Sequence, residues 1–172
     1  LGRDFTAAED HAGAARVVFA AGDVKALGAD GQSRPLAKGA EVASGETIDT
    51  GNGRAQVHFP DGAQVSLQPQ TQFRIDDYRF SGNADGSEKG FFSLLKGGLR
   101  TVTGLIGKRG DQDSYKIGTS TATIGIRGSS GDTVACATDC GSLKPGTYHT
   151  TYTGSYIMQN QGGNQLIGEG QF

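Results

Sequence analysis

Tryptophan is absent from this 172-residue chain, methionine occurs once, cysteine twice and proline four times. A chain of this length buries enough apolar surface to fold without metals or many disulfides, so the shortage of cysteine is no obstacle to one core. Neither sign of charge dominates: Lys plus Arg number 16, Asp plus Glu 18, and the formal charge is −2. A nucleic-acid partner usually demands a concentrated basic face, and that class is set aside. Long hydrophobic runs are missing too. The most apolar early stretch, Ala14 to Ala21, is short and interrupted by Arg16, so no membrane span is expected. No secretory signal is visible. The chain opens on Leu1 instead of Met, and we expect upstream sequence to have been removed.

Glycine is abundant, with 29 residues, against an average usage of roughly 7%. Spread among β-branched and aromatic residues that alternate regularly, it implies tight turns and not disorder. The clearest strand is Arg54 to Phe59, where Ala55, Val57 and Phe59 point one way and Arg54, Gln56 and His58 the other. Pro60-Asp61-Gly62 turns the chain, and Ala63, Val65 and Leu67 repeat the alternation. Further strands are expected at Phe91 to Leu95, Leu99 to Thr103, Ser114 to Gly118, Thr121 to Ile126 and Thr133 to Ala137, with turns at the intervening glycines. Residues 1–15 are expected to be a leader or a short helix, and 16–172 the β domain. Ser81 to Gly90, dense in Gly, Asn and Asp, is expected to be among the least ordered internal segments. The fold class is all-β: an elongated or rolled sheet or sandwich of many short strands with Gly-rich turns.

Two blocks carry a resemblance. One is Tyr115-Lys-Ile-Gly-Thr-Ser-Thr-Ala-Thr-Ile-Gly-Ile-Arg127-Gly-Ser-Ser, and the other runs from Gly45-Glu-Thr-Ile-Asp-Thr50 through Phe59-Pro-Asp-Gly62. With Gly22-Asp-Val, Leu36-Ala-Lys-Gly39, Gly98-Leu-Arg100 and the tail from Gly146 to Gln171, in that order, the chain resembles the FecR family of periplasmic domains, best known from bacterial iron-uptake signalling. The Arg-Gly corner departs from the family pattern by continuing Ser129-Ser130-Gly131-Asp132. The transmembrane helix and cytoplasmic anti-sigma segment of the signalling members are also missing, so the chain resembles a free-standing periplasmic or secreted module. The resemblance implies a non-enzymatic role, with a protein of the envelope as partner; the many short strands, with no convergent catalytic or cofactor motif, point to an exposed strand edge as the docking point. A cell-wall glycan such as peptidoglycan is the alternative ligand.

Candidate site residues are few. Cys136 and Cys140 form a C-x₃-C pair. In an exported protein their even count favours a disulfide. Free thiols remain open, as does a metal site, which would need two further ligands such as His149 and His58. Arg127 with Gly128 is read as a structural corner, the guanidinium fanning its donors across carbonyls or a carboxylate. Tyr148, Tyr152 and Tyr156 recur every fourth residue, which on a regular strand sets all three on one face. Exposed, they would make a glycan- or protein-binding platform; packed inward, they are core. His58 and His149 are both expected to be solvated. Gly128-Ser-Ser-Gly131 is not a nucleophile elbow, and Gly104-Leu-Ile-Gly-Lys-Arg lacks the spacing of a phosphate-cradling loop. Asp76-Asp77 and Asp111-Gln-Asp113 lack the ligand count of a calcium loop. No catalytic residue, cofactor or metal is expected.

Overall fold

The computed structural model describes residues 14–82, 87–109, 114–138, 140 and 142–172, with the backbone alone for 109 and 127–129. In chain order the elements are β1 (Ala15–Ala21), β2 (Lys25–Leu27), β3 (Ser33–Pro35), β4 (Glu41–Val42), β5 (Thr47–Asp49), β6 (Arg54–His58), β7 (Gln64–Leu67), β8 (Gln72–Arg79), β9 (Lys89–Val102), α1 (Leu105–Arg109), β10 (Tyr115–Gly118), β11 (Thr123–Cys136), β12 (Gly146–Asn160) and β13 (Gly163–Ile167). The alternation at Arg54 to Phe59 does what a half-buried strand requires. Ala55, Val57 and Phe59 are buried, Arg54 is exposed, and Gln56 and His58 are half-buried. The all-β expectation holds.

Hydrogen bonding links the strands into one rolled structure, and three long strands each serve two sheets. The first sheet runs β3-β2-β5-β8-β9-β10-β11-β12-β13, using β9 up to Lys96 and β11 up to Arg127. The second runs β4-β1-β6-β7-β9-β11-β12, using β9 from Gly97 and β11 from Ser130. Their inner faces meet in one core. Phe73, Ile75, Leu94, Ile117, Ile124 and Ile126 come from the first sheet and Val17, Val57, Val65 and Leu99 from the second. At its centre Phe92 packs against Phe59, Phe73 and Tyr115 with ring centroids 5.2, 5.3 and 5.2 Å away.

The glycines expected to end strands bend them instead. β9 passes straight through Gly97, whose φ is +91° and where a Cβ would lie 2.2 Å from Thr71 Oγ1. β11 is likewise continuous through the Arg127-Gly128 corner, where the pairing with β12 shifts register between Arg127 and Ser130. Gly154 does not break β12 either. Each such site lets a strand leave one sheet and enter the other without losing its ladder to a loop.

Pro60-Asp61-Gly62 turns the chain as expected, and Asp61 does more. It is 3% exposed, and its Oδ1 accepts from the Tyr78 hydroxyl (2.8 Å) and Ala63 N (3.2 Å). Oδ2 accepts from Ile106 N (3.2 Å) and the main-chain oxygen from Leu105 N (2.9 Å). One turn residue thereby ties β6–β7 to α1, a helix the sequence analysis did not anticipate. Burial, followed by the Asp61 carboxylate, holds the Tyr78 hydroxyl protonated well above its ordinary range.

Residues 1–13 of the expected leader lie outside the described residues, but Ala14 and Ala15 already belong to the core, with Ala15 opening β1. In the Ser81–Gly90 loop, residues 83–86 lie outside the described residues. Its flanks are tied together, Ser81 N and Gly82 N both donating to the buried Glu88 carboxylate.

Candidate functional site

His58 and His149 lie on opposite faces of the second sheet. Across that sheet's outer face Arg16, His58, Gln64 and Val102 form one row of register partners, and Phe19, Gln56, Ser66, Arg100 and Asp132 form the next. His58 is half-buried there beside Gln56. His149 faces the interior, contrary to the solvated position expected for it, and is 2% exposed. Its Nδ1 lies 2.9 Å from Thr133 Oγ1, and its ring centroid is 3.9 Å from that of Tyr156. Burial lowers its pKa to about 4, outweighing the opposing pull of the Asp132 charge. No base, nucleophile and acid converge among the described residues, and no group of three metal-ligating side chains forms there. Asp76 is held by Arg74 and Ser93, and Asp77 by Lys89 and Arg79. Asp111-Gln-Asp113 lies outside the described residues.

The tyrosine row is divided by a bulge. Ser130 pairs with Thr153 but Gly131 pairs with Thr151, which leaves Tyr152 as the extra residue of β12. An extra residue reverses which side chains face inward. Before it His149 and Thr151 are buried; after it Tyr156 is, at 0% exposure, while Tyr152 is 45% exposed and Tyr148 half-buried. The three tyrosines therefore do not share a face.

At the bulge the outer surface carries a compact polar cluster that the sequence analysis did not single out. Arg100 makes a two-pronged ion pair with Asp132 (2.8 and 3.1 Å) and lies 5.1 Å from the Tyr152 ring centroid. The Tyr152 hydroxyl donates to Asp132 Oδ2. Burial alone would raise the Asp132 pKa, but Arg100 and Tyr152 outweigh it and hold the carboxyl below its ordinary value. Each group bonds another, so this cluster fastens β9, β11 and β12 together.

Cys136 and Cys140 are joined, with Cα atoms 5.8 Å apart, closing the loop that follows β11. The side chain of Arg127 lies outside the described residues; its backbone sits at the β11 register shift.

One edge strand, β13, is open and unblunted. It bonds only to β12, carries no charge and no proline, and leaves Leu166 61% exposed. Natural edge strands are usually blunted by charge, proline or a bulge, and Gly163-Asn-Gln-Leu-Ile167 has neither charge nor proline. Beside it opens a cavity of about 600 Å³ bounded by β12, β13 and the Phe172 ring. No local motif marks this strand in the sequence, where Gln165 to Gly168 is legible only as a last short strand.

Comparison with known proteins agrees with this architecture. Two crystal structures of a candidate anti-sigma factor from Parabacteroides distasonis ATCC 8503 superimpose with TM-scores of 0.55 and 0.54, at 17% and 18% sequence identity. In both cases the match covers 72% of this chain and 51% of the other, so the chain corresponds to about half the length of those proteins. No helix among the described residues is long and apolar enough to cross a membrane. Among curated proteins none matches the sequence. The family described as FecR protein matches residues 46–142, which take in β5 to β11 and both cysteines. That span is more than half of the chain, and the chain belongs to the FecR protein family.

Proposed function

We propose that this protein is a non-enzymatic recognition module of the bacterial envelope, binding a partner protein as part of signalling or assembly. The observation that carries this reading is the open, uncharged edge of β13, whose outward backbone groups are available to another strand. Main-chain hydrogen bonds to such an edge supply affinity, and alternate side chains supply specificity. Family membership supports a signalling-related role. The Cys136–Cys140 bond supports a location outside the reducing cytoplasm. No observation favours a cell-wall glycan, because Tyr156 is core and cannot join Tyr148 and Tyr152 in a stacking platform.

The test is affinity capture from envelope and cytoplasmic extracts of the source bacterium, followed by mass spectrometry. A protein enriched from the envelope fraction, and displaced by excess untagged chain, is the expected result. Enrichment solely of cytoplasmic proteins, or turnover of an added substrate by the purified chain, would overturn the reading.

A further inference from the structure

The first sheet ends at β13, and the segment that follows β13 flanks β12 in the second sheet, Gly170 N donating to Thr151 O (2.8 Å) and Thr151 N to Gln171 O (3.1 Å). Between β12, β13 and this segment lies the cavity of about 600 Å³. Met158 and Ile167 form its floor, Thr147 and His149 its wall from the second sheet, and Tyr148 stacked on Phe172 (6.1 Å) its rim. His149 is 2% exposed, and its Nε2 has no hydrogen-bond partner among the described residues.

We propose that the β13 edge and this cavity form a peptide groove: an extended, uncharged segment of a partner protein adds to β13 as a further strand and lodges an apolar or aromatic side chain in the cavity. This rests on the recognition role proposed above and names the partner's chemistry. Three observations converge on it. The hairpin closes at the Asn160–Gly163 pair, so alternation of the ladder turns the N–H and C=O of Asn164 and Leu166 outward. Side chains on an added strand alternate, so every second one continues the inward row from Met158 and Gln165 over the cavity. The volume is in the range of sites that take a compact apolar group.

A phage-displayed library of random nonapeptides, panned on the whole chain, tests the groove directly. The expected result is enrichment of uncharged peptides with apolar residues at every second position. Their binding should weaken at least tenfold in Leu166→Pro, which removes an outward donor, and in Met158→Phe, which fills the cavity. Gln165→Trp is a second filling variant at an exposed position, in case Met158→Phe disturbs the fold. Gln64→Ala, on the far outer face, should bind as the parent does. Failure to enrich such peptides, or binding that survives both Leu166→Pro and Gln165→Trp, overturns the groove. Capture of the same envelope protein by parent and groove variants alike would reject the groove while leaving the recognition role standing. Loss of all envelope capture, by the parent included, would reject the role itself.

Discussion

Asp61 shows how far one residue's work extends beyond its own turn. Its carboxylate accepts bonds from the Tyr78 hydroxyl, Ala63 N and Ile106 N in a site closed to water. Removing it leaves those donors unsatisfied, and bonds to a charged acceptor are worth more than neutral ones. Asp61→Ala should lower stability by about 3 kcal/mol, measured by urea unfolding, with Asp61→Asn recovering part. The Pro-Asp-Gly turn was legible in the sequence. The helix it anchors was not, because Ile106 lies 45 residues away and nothing local announces the bond. His149 carries a second residue-scale prediction. Its pKa falls from 6.5 to about 4 on folding, so the unfolded chain takes up the proton first as pH drops. The His149 contribution, about 3 kcal/mol in all, should be lost between pH 6.5 and 4. Urea titrations across that window should show the extra slope in the parent and not in His149→Gln.

At the scale of the element, the strand faces were legible and the strand ends were not. Alternation placed Val57, Val65 and Leu67 correctly because a period of two depends only on neighbours. Glycine misled in β9 and β11, since the same freedom from a Cβ serves a turn and a bend equally. Only the second sheet's demand for the far half of each strand decides between them. The bulge at Tyr152 was equally hidden, and with it the burial of His149. Gly97 is the sharpest test: with φ at +91° and Thr71 in the way, Gly97→Ala should cost about 2 kcal/mol or more, read from chemical denaturation. The Cys136–Cys140 bond closes a short loop. Replacing both cysteines by serine should therefore cost only about 2 kcal/mol and leave the circular dichroism spectrum unchanged.

For the whole molecule, sharing β9, β11 and β12 between two sheets means that neither sheet can come apart alone. Amides of Val57 and Val65 in the second sheet should exchange hydrogen with the same free energy as those of Ile75 and Ile124 in the first. Two separated exchange classes, one per sheet, would show that the halves unfold independently. The all-β class and the family were both legible in the sequence. The open edge at β13 was not, because an edge is defined by which strand has no second neighbour, and that is a property of the finished topology.

The place of β10 in that topology also sets a clock. β10 lies parallel to β9 and antiparallel to β11, while β9 and β11 pair with each other farther along. A parallel neighbour cannot form by simple hairpin zipping; the chain must first travel back across the sheet, here through α1. Distant segments have to meet before any of these contacts is rewarded, so refolding should be slow for a domain of this length, in the millisecond-to-second range of non-local β topologies. Asp61 shortens that search. By fastening α1 to the β6–β7 turn, it delivers the following strand to the gap between β9 and β11, and Asp61→Ala should slow refolding as well as weaken the fold.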